Sequence, residues 1–225
     1  MKHIIVLLFL MGTFVVSAQG GSETRSLTAF TELKVFDGLS VNLVPSTENK
    51  AVLTGEDLDK VVIVNNDGIL KIRMQITKFF SGYKTFIDLH YSAPLVIIDV
   101  NEDALIQGDT EMEQDILELR AQEGGEVKVQ AKVSQMLIKS VTGGIITANG
   151  TAEAQDVQIN TGGKYLGSKL LTKISTVNVN AGSKAEVFAT DYVKASVKAG
   201  GEVLIYGNPK SLDEKTVFGG VITKM

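Results

Sequence analysis

Residues 138–167 read IKSVTGGIITANGTAEAQDVQINTGGKYLG and contain one full period of a pattern that returns from about residue 115 to residue 223. Each period has an alternating apolar and polar segment, a glycine corner, and a second alternating segment. Successive corners begin 18 to 20 positions apart, at Gly124, Gly143, Gly162, Gly182, Gly200 and Gly219. A fixed period of this length is typical of a repeat protein.

The alternation assigns the side chains to two faces, because neighbouring residues of a β-strand point to opposite sides. Three and five positions after each corner the residues are mostly apolar, as at Val127, Tyr165 and Val187, and the residues between them, such as Lys128 and Glu186, are mostly polar. The period is too short for two helices and a turn. The sequence therefore predicts an all-β fold, a parallel β-helix of coils of about 19 residues, with positive φ at the corner glycines.

The N-terminal residues predict export. Met1-Lys2-His3 precedes an apolar run from Ile4 to Val16, followed by Ser17-Ala18. The run is shorter than the roughly 20 residues that span a bilayer, and the pattern is typical of a signal peptide over residues 1–18. We therefore predict a periplasmic or cell-surface protein without a transmembrane segment, with a flexible start over residues 19–26.

A less regular β region over residues 27–94 separates this start from the repeats. The segment 65–68, NNDG, lies between two apolar runs and predicts a β-hairpin. The aromatic-rich segment 78–83 predicts a loop. We expect residues 27–94 to be a lead-in that caps one end of the stack, and residues 95–225 to form the coils and a C-terminal cap.

Several of these segments together resemble a known family. They are the run VFDGLSVNL at 35–43, the run GILKI at 68–72, and the glycine-cornered repeats that follow. Over about residues 28–210 the chain is similar to the putative auto-transporter adhesin, head GIN domain family, a group of exported bacterial proteins common among Bacteroidetes. The resemblance implies a right-handed β-helix and an envelope or surface location, and it supplies no catalytic residues.

Composition disfavours several classes of function. The chain has 22 basic and 26 acidic residues without a long block of either sign, which disfavours nucleic acid as a partner. It has no cysteine, and His90 is the one histidine left once His3 is removed with the signal peptide. Zinc sites and Ser-His-Asp triads are therefore not expected. We predict no cofactor and no bound metal.

Carboxylates leave one catalytic alternative open. An acidic cluster precedes the first regular repeat, formed by Glu102, Asp103, Glu111, Glu113 and Asp115. Such oxygen ligands bind calcium, but a solvated turn is the favoured interpretation because no calcium-loop motif surrounds them. The alternative function is a calcium-assisted polysaccharide lyase or hydrolase, which would need these carboxylates to converge with Arg120 or Lys128 in a groove.

The outward positions of the last coils favour a binding function. They include four apolar residues, Leu166, Phe188, Leu204 and Tyr206. Contiguous exposed apolar residues usually mark a contact surface, although a C-terminal tail folded over this face would bury them. The sequence thus predicts a non-enzymatic, adhesin-like binding or structural protein of the envelope. It would contact glycan, lipid or protein through one β-helix face, and the same face would support a weak homo-oligomer.

Overall fold

A computed structural model describes residues 21–78 and 80–225. The signal peptide predicted for residues 1–18 lies outside these described residues. The strands are β1 (Gly21–Ser26), β2 (Glu32–Val35), β3 (Ser40–Pro45), β4 (Lys50–Gly55), β5 (Val61–Asn66), β6 (Ile69–Met74), β7 (Thr85–Tyr91), β8 (Ile97–Val100), β9 (Leu105–Ala121), β10 (Glu126–Ser140), β11 (Ile145–Ile159), β12 (Lys164–Leu166), β13 (Leu170–Val179), β14 (Lys184–Phe188), β15 (Tyr192–Lys198), β16 (Glu202–Tyr206), β17 (Ser211–Val217) and β18 (Val221–Lys224). Short 3₁₀ helices lie at Leu58–Lys60, Ile76–Lys78 and Gly82–Lys84.

The strands stack into a β-solenoid of about seven turns with coils of about 19 residues, which confirms the predicted fold. One sheet follows the order β5, β6, β2, β8, β9, β10, β11, β13, β15, β17. The other follows β1, β4, β7, β3, β9, β10, β11, β12, β14, β16, β18. The strands β9 to β11 belong to both sheets because they bend, and from β3 and β8 onward all of these pairings are parallel.

The corners have the predicted backbone conformation. Gly124, Gly143, Gly162, Gly182, Gly200 and Gly219 have φ between 67° and 78°. The residue before each glycine is also left-handed, so both central residues of every corner have positive φ, as in a type I′ turn. Two further corners lack the Gly-Gly pair and lie at Asp37-Gly38 and at Glu102-Asp103. Two of the five residues of the acidic cluster, Glu102 and Asp103, therefore form a turn of the solenoid.

The core consists of inward columns that run from coil to coil. Val127, Ile146, Tyr165, Ala185 and Val203 are in register with one another, and all five are fully buried. Such stacking of like positions gives each coil two neighbours to bury its apolar side against.

The lead-in joins the solenoid more closely than a separate cap would. Its strands β2 and β3 pair in parallel with β8 and β9, so they form part of the first coil. The hairpin predicted at residues 65–68 is confirmed: β5 and β6 are antiparallel, with positive φ at Asp67 and Gly68. The flexible start predicted for residues 19–26 differs from the structure, because residues 21–26 form β1 on the edge of β4. The Arg25 guanidinium helps to hold β1 there by donating to the carbonyl oxygens of Leu58 and Val61 at 2.8 and 2.6 Å.

The C-terminal tail adds one more coil instead of folding over the outer face. Strands β17 and β18 pair in parallel with β15 and β16. Leu212 and Ile222 of this coil pack against the core, and polar residues occupy its other inward positions: Glu214 stacks on Ala195, Thr216 on Val197, and Lys224 on Ile205. The last coil is therefore more polar on its inner side than the coils before it, which suits a terminal repeat.

The register makes a direct prediction about stability. Val187 is fully buried, whereas its neighbour Glu186 faces outward. Replacing Val187 with alanine should lower the free energy of unfolding by about 1 to 3 kcal/mol, because it leaves a cavity in a packed column. Replacing Glu186 with alanine should change it by less than about 0.5 kcal/mol. Denaturant unfolding of both variants measures the difference, and equal losses would contradict the assigned register.

Candidate functional site

The four residues predicted as a contact surface do not form one continuous patch. Phe188 and Tyr206 are direct neighbours in register, and Leu204 lies two positions before Tyr206 on the same face. Leu166 is separated from Leu204 by Glu186, whose carboxylate accepts a hydrogen bond from Ser168. Leu166 is 37% exposed, and the other three are half-buried. The structure thus brings together Phe188, Tyr206 and Leu204.

Phe188 also borders an open groove of about 780 Å³. Four consecutive coils contribute a triplet of residues to the groove, at 113–115, 132–134, 151–153 and 171–173, and the next coil contributes Phe188 and Thr190. The outer two residues of each triplet are exposed, and the middle residue is buried or half-buried. The groove therefore runs along the solenoid axis across five coils, which corresponds to roughly 19 Å at a spacing of about 4.8 Å per coil.

The first wall of the groove changes from charged to apolar along its length. It begins with Glu113, Lys132 and Thr151, which are in register, and continues to Leu171. The amide of Thr190 donates to the carbonyl of Thr172, and in this next coil Phe188 and Thr190 line the groove. Because Tyr206 stacks on Phe188, the apolar end of the groove continues onto the predicted contact surface.

Ion pairs line the groove. Lys132 donates to Glu113 at 2.7 Å, and Lys173 donates to Glu153 at 2.6 Å. These hydrogen bonds and charges raise the pKa of both lysines, so both remain protonated at neutral pH. In the second wall the Ser134 hydroxyl donates to Asp115 at 3.4 Å. All these groups are exposed to solvent and offer both donors and acceptors to a ligand.

A buried polar network supports the apolar end of the groove. The Gln155 side chain accepts a hydrogen bond from the Tyr165 hydroxyl at 2.9 Å and donates to Ser175 at 2.8 Å. Gln155, Ser175 and Thr172 all donate to the main-chain carbonyl of Phe188. This network fixes the backbone of Phe188 where the continuous strand of the earlier coils is interrupted between β14 and β15.

The other candidate residues do not gather as a catalytic site would require. Asp103 accepts a hydrogen bond from Tyr83, Arg120 pairs with Glu118, and Lys128 pairs with Glu126. Glu102 lies near Asp37, and burial together with that neighbouring charge raises the pKa of Glu102. His90 lies in β7 beside Val44 and Lys50.

The described residues contain neither a candidate metal centre nor a candidate membrane-spanning helix. Over 21–78 and 80–225, no three His, Asp or Glu side chains are placed to hold a metal ion together. In the same part of the chain, no helix has the length and apolar character that a membrane crossing requires.

Phe188, Glu113 and Asp115 were singled out in the sequence, but the groove that they border was not predicted. In the structure the alternation of buried and exposed residues breaks beside the groove: two consecutive residues are exposed at Asp115-Ile116, Ser134-Gln135 and Lys173-Ile174. Such a break marks a bend in each coil, and the groove lies beside it.

The fold is shared with several solved structures. A putative adhesin from Bacteroides fragilis NCTC 9343 is 17% identical with a TM-score of 0.82, over 93% of this chain and 98% of that one. A putative adhesin from Parabacteroides distasonis ATCC 8503 is 19% identical with a TM-score of 0.74, over 91% and 96%. A putative lipid binding protein from the same strain is 16% identical with a TM-score of 0.67, over 92% and 98%. At these identities the likeness concerns the fold alone.

Comparison with curated proteins gives no match. A family model does match, and it covers residues 29–209, which is most of the chain. This agrees with the resemblance carried by residues 35–43, residues 68–72 and the glycine-cornered repeats. The chain belongs to the putative auto-transporter adhesin, head GIN domain family.

Proposed function

We propose that this protein is a non-enzymatic, adhesin-like binding protein of the bacterial envelope, and that it holds an extended neutral glycan in the groove bordered by residues 113–115 and Phe188. The single observation that carries the proposal is the repetition of the groove. Each coil presents an equivalent position with side chains at the spacing of the solenoid, so a ligand that itself repeats near that spacing places one unit beside each coil. Membership of an adhesin family and the predicted signal peptide support an exported location.

The spacing favours a glycan over a peptide. An extended peptide rises about 3.3 Å per residue and falls out of step with the coil spacing of about 4.8 Å. A ring of an extended β-linked glycan is longer than an amino-acid residue along the chain, so its repeat lies nearer to the coil spacing. The accessible pairs Lys132–Glu113 and Lys173–Glu153 offer donors and acceptors for hydroxyl groups. The aromatic ring of Phe188 offers an apolar surface to the face of a sugar.

The charges of the walls disfavour a lipid. An acyl chain in this groove would remove water from two ion pairs without replacing their hydrogen bonds, which is costly. The neighbour described as a putative lipid binding protein shares the fold at 16% identity. A fatty acid is therefore a competing ligand that the experiment must include.

Catalysis by the groove is the second candidate, because carboxylates and lysines do meet there. A lysine that acts as a general base needs a lowered pKa. Glu113 and Glu153 raise the pKa of Lys132 and Lys173 instead. This direction supports binding over a lyase reaction.

The test is calorimetric titration of the full chain with neutral β-linked hexose oligomers of one to eight units. Affinity should rise with length and level off near five units, because the groove crosses five coils. Phe188→Ala and Lys173→Gln should each weaken binding of the longer oligomers about tenfold, as the loss of one good contact implies. The matched control is Lys194→Gln, an exposed lysine on β15 outside the groove, which should bind like the unaltered chain.

Three results would overturn the proposal. They are no binding of any oligomer by folded protein, equal affinity for one unit and five, or an equal loss for Lys194→Gln and Lys173→Gln. Preferential binding of a fatty acid or an extended peptide would assign the groove to that ligand instead.

A further inference from the structure

A second hollow lies on the lead-in, away from the groove. It has a volume of about 350 Å³ and is bordered by β3, β7 and the start of β9. The hollow arises from the sizes of the side chains that lie side by side on the three strands. Ser40 stands between Phe86 and Leu105 in one row, and Asn42 stands between Asp88 and Gln107 in the next. The small side chain of Ser40 between two large ones leaves a depression in the first row, and the depression continues over Asn42 in the second.

The first row gives the hollow an apolar wall. Phe86 is 52% exposed although its strand, β7, is paired on both sides, with β3 and with β4. Its partners across the two neighbouring strands are Ser40 and Thr54, which are too small to cover the ring. Burying such a ring against a ligand would remove a large apolar surface from water. Leu105 faces it across Ser40.

The second row gives the hollow a hydrogen-bonding wall. The Asn42 amide donates to Asp88 at 2.9 Å, which fixes both side chains, and Gln107 lies on the other side of Asn42. Asp109 completes the wall. Amide and carboxylate groups in this arrangement can both donate to and accept from vicinal hydroxyl groups.

The charges of the lining restrict the ligand further. Asp88 and Asp109 border the hollow, and no lysine or arginine does. Lys128, in register with Gln107, is paired with Glu126. An anionic ligand such as a phosphate, a uronic acid or an acidic lipid headgroup would meet uncompensated negative charge.

We propose that this hollow is a binding site for a single neutral pyranose sugar, which stacks its apolar face on Phe86 and directs its hydroxyl groups to Asn42, Asp88 and Gln107. The volume lies at the small end of ligand pockets and suits one or two sugar rings. The site is separate from the groove and does not rest on the function proposed for it. Two sugar sites on one solenoid would allow the protein to hold a branched glycan at two points, with a gain from avidity.

The experiment is saturation-transfer NMR and titration of the full chain with methyl β-glycosides of glucose, galactose and N-acetylglucosamine, and with methyl β-glucuronide. At least one neutral glycoside should bind. Phe86→Ala and Asn42→Ala should each weaken its binding at least tenfold. Gln107→Ala, at an exposed position where folding is not at risk, should weaken it about threefold or more. Phe188→Ala, in the groove, should have no effect on these single sugars.

Charge supplies an independent readout. Methyl β-glucuronide should bind at least tenfold more weakly than the neutral glycoside, and Asp88→Asn, which removes one of the two bordering charges, should reduce that ratio. The proposal fails if no neutral glycoside binds, or if folded Phe86→Ala, Asn42→Ala and Gln107→Ala all bind as the unaltered chain does. It also fails if Phe188→Ala abolishes single-sugar binding, since the sugar would then lie in the groove, or if the glucuronide binds best.

Discussion

Replacing Gly144 with alanine is expected to lower the free energy of unfolding by at least about 3 kcal/mol. Gly144 is the second residue of its corner pair, and its φ is not positive. Glycine is required here because a side chain does not fit: a Cβ atom would lie 2.3 Å from the carbonyl oxygen of Ala121 in the preceding coil. That oxygen accepts the amide of Val141 at 3.0 Å. Alanine would therefore push two coils apart at a hydrogen bond that joins them.

The matched control is Gly143→Ala in the same corner. Gly143 has a φ of 76°, and a Cβ atom there would meet nothing within 4 Å. Its cost is the left-handed conformation alone, about 1 to 2 kcal/mol. Gly201→Ala should also cost less than Gly144→Ala, because the nearest atom to its Cβ belongs to the side chain of Val179. Equilibrium unfolding in denaturant measures all three, and a larger loss for Gly143→Ala than for Gly144→Ala would show that the coils do not approach as described.

The two glycines of one corner show which features of the fold the sequence predicts and which it does not. The positive φ at Gly143 and Gly162 was predictable because the same turn recurs in every coil, and glycine adopts a positive φ without steric strain. The close approach at Gly144 was not, because it depends on the distance between two coils. Ser183 occupies the same position in another corner, so the sequence alone gives no reason to expect a backbone contact there.

The corners at Asp37-Gly38 and Glu102-Asp103 were hidden for a related reason. Glu102 and Asp103 are left-handed, yet neither is glycine. Aspartate tolerates this conformation better than most residues do. The acidic residues at this position suggested a calcium site in the sequence. In the structure Asp103 belongs to a turn and accepts a hydrogen bond from Tyr83.

The candidate sites differ in how visible they were. Phe188 and Tyr206 stood out because they are apolar residues at outward positions of a regular repeat. The walls of the groove consist of ordinary polar residues such as Lys132 and Glu153, whose arrangement emerges only when the coils are stacked. The hollow at Phe86 could not be predicted, because the irregular sequence of the lead-in does not indicate that β3 pairs with β7 and β9.

Replacing Tyr165 with alanine should lower the free energy of unfolding by about 3 to 5 kcal/mol, the range for removing a large aromatic side chain from a core. Tyr165 is fully buried between Ile146 and Ala185 in its column. Gly167 makes room for the ring, since a Cβ atom there would lie 2.3 Å from it. The cavity left by alanine has rigid walls of paired strands and cannot easily collapse.

Tyr165→Phe separates the ring from its hydroxyl. It keeps the packing but leaves the Gln155 side-chain oxygen without the hydrogen bond at 2.9 Å that the hydroxyl donates. The expected loss is about 1 to 3 kcal/mol, the usual cost of an unsatisfied buried polar group. A loss for Tyr165→Phe as large as that for Tyr165→Ala would mean that the polar network outweighs the packing.

The unaltered chain and Tyr165→Phe should also differ in how their unfolding free energy depends on pH. Burial raises the pKa of Tyr165 above its ordinary value, so the folded chain keeps the proton that the unfolded chain releases above a pH of about 10. The stabilising contribution of the protonated phenol is therefore fully present at neutral pH and is lost as the pH rises past that value. The difference in unfolding free energy between the unaltered chain and Tyr165→Phe should shrink between about pH 9.5 and 11. Unfolding measured across this range checks the expectation, and a difference that stays constant would show that Tyr165 ionises in the folded protein as readily as in the unfolded chain.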